Sequence, residues 1–336
     1  MSKLTNCILK KDYSCTPIWF MRQAGRYLPE FREIRLLNKD FIKLCLNSDL
    51  SSEITLQPLK RFNLDAAIIF SDILMVPFGL GQEVNFIKNQ GPILSDFNLS
   101  KFLCSDKNDF LNKLKPVYTA IKKTRKKLNY SKSLIAFIGA PWTLAVYMLG
   151  VKKNKNIIDF NKLKKKENEL KIIIDKLSEY LCVHIENQYN AGADIVQIFD
   201  SWAGLIPNQK LYDYCYKPNK KIVEFCKRKK IPVICFPKGI NKNYLRFADV
   251  VNPNCLSLDQ EIDPTWAKNN LKRFCLQGGM DPKILFKEEE EIFNEVDKYL
   301  KIFRGTPYVF NLGHGLLPET NPDILKKVVE RVINFK

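Results

Sequence analysis

A chain of 336 residues that is 46% hydrophobic and 12% aromatic carries enough apolar material for one large core, and single α/β barrels reach this length. Lys and Arg number 54 against 36 Asp and Glu, a formal charge of +18, which attracts nucleic acid, acidic membrane surfaces or polyanionic small molecules without choosing among them. No apolar run approaches the roughly 18 residues of a membrane span, no secretory h-region opens the chain, and none of the ten scattered cysteines forms a CxxC pair. The expected setting is therefore a reducing cytoplasm in which most thiols serve as small core hydrophobes.

In chain order, short apolar runs recur and each ends in a polar or glycine-rich turn. Ile18 to Met21 ends in Arg22, Gln23, Ala24, Gly25 and Arg26, and Asp65 to Phe70 ends in Ser71 and Asp72. Leu134 to Ile138 runs into Gly139, Ile195 to Phe199 into Asp200 and Ser201, and Val233 to Phe236 into Pro237, Lys238 and Gly239. Asp249 to Val251, Cys275 to Gln277 and Tyr308 to Leu312 follow, the last ending in Gly313, His314 and Gly315. Continuous rather than alternating runs predict strands buried on both faces, the mark of a parallel sheet.

Helical patterns separate them. Val117, Ile121 and Leu128 mark one apolar face, and Leu170, Ile173, Leu177, Leu181 and Ile185 mark another. Asp281 with Pro282, and Asn321 with Pro322, read as cap and first-turn pairs. The runs Lys122 to Lys127, Lys162 to Lys166 and Lys227 to Lys230 read as solvated helix faces. Eight strand candidates alternating with helices predict a (β/α)8 TIM barrel, with residues 1–336 forming one domain.

A barrel gathers the C-terminal ends of its strands on one face, so Arg22, Arg26, Asp72, Ser201, Lys238 and His314 should meet there. Paired arginine forks after a strand suit carboxylates or phosphates, and Gly25 lets backbone approach a ligand closely. Asp72 is either a site carboxylate or a helix cap, and Ser201 leaves the same choice open. Of the two histidines, His184 falls on an apolar helix face and reads as packing, while His314, set between glycines at a strand end, reads as functional.

The segment PIWFMRQAGR at Pro17 to Arg26 closely resembles the first signature of the uroporphyrinogen decarboxylase family. The resemblance continues in order through DAAIIFSDIL at Asp65 to Leu74, GAPWTLAVYM at Gly139 to Met148, ADIVQIFDSWAG at Ala193 to Gly204 and NLGHGLLPET at Asn311 to Thr320. It implies one barrel domain, usually a homodimer, that needs neither metal nor organic cofactor. Such an enzyme removes the carboxyl groups of the four acetate side chains of uroporphyrinogen III and leaves coproporphyrinogen III. Carried over by motif, Arg22, Gln23, Ala24, Gly25 and Arg26 form the substrate-binding turn, with Phe31 and Arg35 as further contacts. Asp72 matches the carboxylate beneath the centre of the macrocycle, and Tyr147, Ser201 and His314 match the remaining substrate contacts. Arg22 and Asp72 are the implied catalytic pair, whereas Lys238 matches no residue with an assigned role.

The match has departures. Ala136 precedes Phe137 where the family usually has glycine, Leu149 to Lys152 replaces an acidic, glycine-rich turn, and Gln260 stands where tryptophan is common. Two rival readings are weaker. A corrinoid-linked zinc methyltransferase of the related barrel family would need a cysteine near His314, and Gly315, Leu316 and Leu317 follow it instead. A nucleic-acid-binding module rests on charge alone, without a basic aromatic platform, so neither nucleic acid nor membrane is the expected partner.

Overall fold

The computed structural model describes every residue except 88–90, 155–156, 160–162, 164–166 and 336. Four of the five positions in the lysine run 162–166 therefore lie outside the described residues. Numbered along the chain, the strands are β1 (Ala66–Ile68), β2 (Val84–Ile87), β3 (Gly91–Leu94), β4 (Ser133–Gly139), β5 (Lys152–Asn154), β6 (Ile157–Ile158), β7 (Ile195–Asp200), β8 (Val233–Pro237), β9 (Cys255–Leu258), β10 (Cys275–Gly278) and β11 (Tyr308–Val309). Seven of them form one sheet in the order β1-β4-β7-β8-β9-β10-β11, every pairing parallel. The other four make two antiparallel hairpins, β2 with β3 and β5 with β6.

Helices stand between the sheet strands because parallel neighbours need a crossover. Lys107–Lys127 precedes β4, Glu167–Asn190 precedes β7, and Lys217–Arg228 precedes β8. The apolar face read from Leu170, Ile173, Leu177, Leu181 and Ile185 is wholly buried. The N-cap assignments hold, since Asp281 accepts from Lys283 N at 2.9 Å and Asn321 from Asp323 N at 2.9 Å. Lys122, Lys126, Lys127, Lys227, Lys229 and Lys230 are exposed, and eight of the ten cysteines are buried. His184 is packing: Tyr118 Oη meets its Nδ1 at 2.9 Å and the Phe110 ring abuts it.

Two strand expectations need correction. Asp249 to Val251 is the end of the helix Tyr244–Val251, whose buried Tyr244, Phe247, Ala248 and Val251 follow a helical spacing; the strand is the next segment, Cys255–Leu258. Ile18 to Met21 is not a regular strand either, for it makes a single parallel bridge, Ile18 with Phe310. Pro17 lacks the N–H that a ladder would use. The segment nevertheless bonds on both sides: Phe310 N donates to Pro17 O at 2.8 Å and Asp65 N to Ile18 O at 2.9 Å.

The N-terminal helix Lys3–Lys10 was not marked by any sequence pattern noted above. Its Leu4, Cys7 and Ile8 join Trp19, Ala66, Ile68, Ile135, Ile195, Ile234, Cys255, Cys275 and Val309 in a second buried cluster inside the curled sheet. Ser2 caps the helix and lies 2.5 Å from the hydroxyl of Ser133, the first residue of β4. The helix thus plugs the N-terminal end of the sheet, leaving the opposite end open.

A buried polar network spans the interior. Trp19 Nε1 donates to Gln277 Oε1 at 2.9 Å, and Gln277 Nε2 donates to Gln197 Oε1 and Ser257 Oγ, each at 3.1 Å. All four residues have no exposed surface. Replacing Gln277 by Leu should strand the Trp19 N–H and cost about 2–4 kcal/mol in urea unfolding, because buried donors left unpaired bear their full desolvation penalty. A variant as stable as the parent would mean that the network contributes nothing.

Candidate active site

The opening turn is built by Gln23, whose side chain is fully buried. Phe20 N donates to Gln23 Oε1 at 3.0 Å, Gln23 Nε2 donates to Ala66 O at 3.0 Å, and Tyr27 Oη donates to Gln23 O at 2.8 Å. Gln23 therefore ties the turn to β1, and its amide does not face the open end of the sheet. Met21 is pinned as well, its N–H on Asn311 Oδ1 at 3.1 Å and its carbonyl accepting from Leu316 N at 2.9 Å.

Between these anchors Arg22 takes φ of 62°, a left-handed conformation rare outside glycine. Strain of this kind, on the order of 1 kcal/mol or more, persists where surrounding contacts enforce it and is concentrated at functional sites. Gly315 makes the room: a Cβ there would lie 2.3 Å from Arg22 Cδ. The Arg22 side chain is reached by solvent, yet protein surrounds it closely enough that desolvation, followed by the Arg26 charge, lowers its pKa, while Asp72 and Tyr147 pull it up. Wet and walled in, Arg22 lines a cleft rather than an open surface.

The rest of the opening segment divides by role. Ala24 packs against the core, and Gly25 sits where a Cβ would come 2.8 Å from Arg22 O. Arg26 is exposed, with no ion pair or side-chain hydrogen bond for its guanidinium among the described residues. Phe31 is buried edge-on against Phe70, ring centroids 5.6 Å apart. Arg35 spends Nη1 on the carbonyls of Asn38 and Lys39 and lies 5.5 Å over the Phe41 ring. Phe31 and Arg35 thus brace the flank of the cleft.

Asp72 follows β1 and is half-buried. Its Oδ1 accepts from Leu74 N at 2.8 Å, so it does cap the turn that leads into the helix Met75–Gly79. Oδ2 has no hydrogen-bond partner among the described residues, and burial pushes the carboxyl up to about 6 against the pull of that N–H and of Arg22. Capping and site roles coexist in one side chain. Tyr147, on the helix Pro141–Met148 after β4, meets the Trp202 ring edge-on with centroids 6.0 Å apart. Burial raises the Tyr147 phenol, which also feels Asp72 and Arg22. Ser201 follows β7 half-buried, and the short turn after it starts at Trp202, so Ser201 is not its cap.

His314 lies in the loop after β11, its Nδ1 buried without a hydrogen-bond partner among the described residues. Burial, then the charges of Arg22 and Lys238, hold its pKa down to about 3, so the ring is neutral at physiological pH. Cationic neighbours also oppose a divalent ion there. Among the described residues no three His, Cys, Asp or Glu side chains gather as metal ligands. The cleft therefore unites Arg22, Arg26, Asp72, Tyr147 and His314, an acceptor carboxylate among cations and neutral donors.

Sequence reasoning missed Asp200, which supports this rim from below. Buried, it accepts from Thr143 Oγ1 at 2.7 Å and Asn219 Nδ2 at 3.2 Å, binding the helices Pro141–Met148 and Lys217–Arg228 to the end of β7. Its place as an acid closing an apolar run was the available signal. Gly315 also went unread, because its importance lies in the space it leaves for Arg22.

Comparison with known proteins fits this geometry. The family model for uroporphyrinogen decarboxylase (URO-D) matches residues 1–335. The uroporphyrinogen decarboxylase of Orientia tsutsugamushi (strain Ikeda) is 41% identical, over 100% of this chain and 99% of its own. That of Rickettsia felis is 41% identical over 96% of this chain and 94% of its own, and that of Ruthia magnifica is 40% identical over 98% and 97%. Among solved structures, a methyltransferase from Methanosarcina mazei superposes with a TM-score of 0.78 at 18% identity, covering 99% of this chain and 97% of that one, a likeness of fold. The chain belongs to the uroporphyrinogen decarboxylase family.

Proposed function

We propose that this protein is a carboxy-lyase that converts uroporphyrinogen III to coproporphyrinogen III, removing CO2 from the four acetate side chains in porphyrin and heme biosynthesis without a cofactor. The observation that carries the reading is the cleft itself: Arg22 and Asp72 feel each other's charge but form no ion pair within 4.0 Å among the described residues. Oppositely charged groups kept apart in a partly desolvated cleft are available to a ligand that brings both carboxylates and N–H donors.

The chemistry follows from the residue types. Protonation of a pyrrole ring carbon makes the ring nitrogen cationic and turns the ring into an electron sink. The bond to the carboxylate then breaks, its electron pair flows into the ring, CO2 leaves, a proton on the exocyclic carbon completes the methyl group, and the ring carbon gives up the proton it first took, which restores the neutral pyrrole. Asp72 Oδ2 accepts the pyrrole N–H groups and stabilises the cation, while Arg22 and Arg26 hold acetate or propionate carboxylates. Neutral His314 and Tyr147 supply uncharged hydrogen bonds at the macrocycle edge.

In the same reading residues 17–21 act as the eighth stave that closes the seven-stranded sheet into a (β/α)8 barrel, and residues 1–336 form one domain. Their hydrogen bonds to Phe310 on one side and Asp65 on the other support this closure. The protein works as a homodimer in the cytoplasm; among the described residues no helix is long and apolar enough to cross a membrane.

Asp72→Asn keeps the cap and loses the charge, so turnover should fall on the order of a hundredfold. Because the native carboxyl sits at about 6, above the usual 3.8, its ionisation opposes folding. The stability associated with its protonated form is present below pH 3.8 and is lost as pH rises through about 6. Asp72→Asn should therefore unfold at pH 7 no earlier than the parent. In the parent, kcat/KM should decline as pH drops through about 6 and the carboxylate disappears. Near-normal turnover of Asp72→Asn would refute the electrostatic role. Asp72→Glu keeps the charge one methylene out of place and should bind substrate poorly while retaining some chemistry.

Gly315→Ala should displace Arg22 with little strain elsewhere, since the clashing atoms belong to a flexible side chain. KM is expected to rise about tenfold with an unchanged melting temperature, and Arg22→Lys should do the same by removing the guanidinium fork. Steady-state kinetics beside thermal unfolding decides this, and an unaltered KM in both variants would place Arg22 outside the substrate site.

A further inference from the structure

We propose that Lys238 anchors one propionate carboxylate of the substrate on the side of the cleft opposite Arg22. The inference rests on the decarboxylase reading and assigns a contact that the family signatures leave open.

Position is the first support. Residues 17–21 bond Phe310, beside β11, on one side and Asp65, beside β1, on the other. Counted from that segment through the sheet order, β8 is the fourth strand in either direction. Arg22 and Lys238 each follow their segment directly, so the two cations face each other across the open end.

Rigidity is the second. Lys238 N donates to Asp200 O at 3.2 Å and Lys238 O accepts from Gly204 N at 2.9 Å. Gly239, at φ of 81°, lies so close to Gly204 that a Cβ on Gly204 would sit 2.6 Å from Gly239 O. The backbone that launches the lysine is fixed, as an anchor requires.

Availability is the third. The Lys238 ammonium has no ion pair or hydrogen bond among the described residues. Asp259, the carboxylate that feels the Lys238 charge, is already occupied: Oδ2 accepts from Gly239 N at 2.6 Å and Tyr244 Oη at 3.4 Å, and Oδ1 from Glu261 N at 3.0 Å. The other titratable group facing Lys238 is His314, which lies within the fields of both Lys238 and Arg22. A neutral imidazole between two unpaired cations fits a polyanionic disc better than a protein partner.

Substrate chemistry selects the propionate. Each decarboxylation removes an acetate, so only the propionates are present in every intermediate and in the product. A lysine launched from fixed backbone at the end of β8 can hold all of them only by gripping a propionate.

The test measures dissociation constants for coproporphyrinogen, which retains propionates alone, with the parent, Lys238→Met, Lys238→Gln and Lys238→Arg, beside anaerobic turnover of uroporphyrinogen. The Met and Gln variants should weaken coproporphyrinogen binding about tenfold and raise KM by a similar factor. Their kcat should stay within about threefold of the parent, their melting temperature should not move, and Lys238→Arg should restore binding. Unchanged coproporphyrinogen binding, whether or not KM for uroporphyrinogen rises, would overturn the proposal, as would a loss of binding matched by a loss of fold in both variants. Failure of the decarboxylase reading would appear separately, as parent protein that does not turn over uroporphyrinogen.

Discussion

The hydrogen bonds of one buried amide, Gln23, set the geometry on which the cleft depends. By accepting from Phe20 N and donating to Ala66 O, it locks the opening turn to β1. Residues 17–21 are meanwhile bonded to neighbours on both sides. With those constraints met, Arg22 is left at positive φ and its side chain is directed across Gly315. The surrounding backbone bonds offset the local strain, and the result is a preorganised guanidinium where carboxylates would arrive.

The electrostatics of the cleft derive from what is left unpaired. Elsewhere on the molecule, cations meet carboxylates in ordinary surface pairs such as Arg61 with Glu30 and Arg331 with Asp297. In the cleft, Arg22, Arg26 and Lys238 lack such partners among the described residues, and Asp72 is held up near 6 by burial. Keeping these groups apart costs stability that an ion pair would recover; in the proposed reading a substrate carrying carboxylates and N–H donors recovers it instead. The overall positive field of the chain then draws a polyanion toward the same mouth.

Much of this was legible in the residues. Runs such as Ile195 to Phe199 and Val233 to Phe236 were readable because strands of a parallel sheet are buried on both faces and need no alternation. Cys255–Leu258 escaped because CLSL is four residues long and not β-branched, while the aliphatic end of the preceding helix imitated a strand. The position of Arg22, Asp72 and His314 after apolar runs marks them as a cluster from the sequence alone. Local pattern could not show which way a side chain points: Gln23 shares a motif with Arg22 yet faces inward, and Gly315 matters only through an atom that approaches it from elsewhere in the chain. Such relations depend on tertiary contacts between segments far apart in sequence.

The central claim is that this cleft performs decarboxylation with protein groups and the substrate's own ring as electron sink. Its most direct test is to incubate purified, metal-stripped protein with uroporphyrinogen III under anaerobic reducing conditions and to follow both products. The account predicts coproporphyrinogen III together with four equivalents of CO2 per macrocycle, with no requirement for added metal or organic cofactor. A folded protein that leaves uroporphyrinogen unchanged, or that turns it over only when a metal or cofactor is supplied, would contradict it.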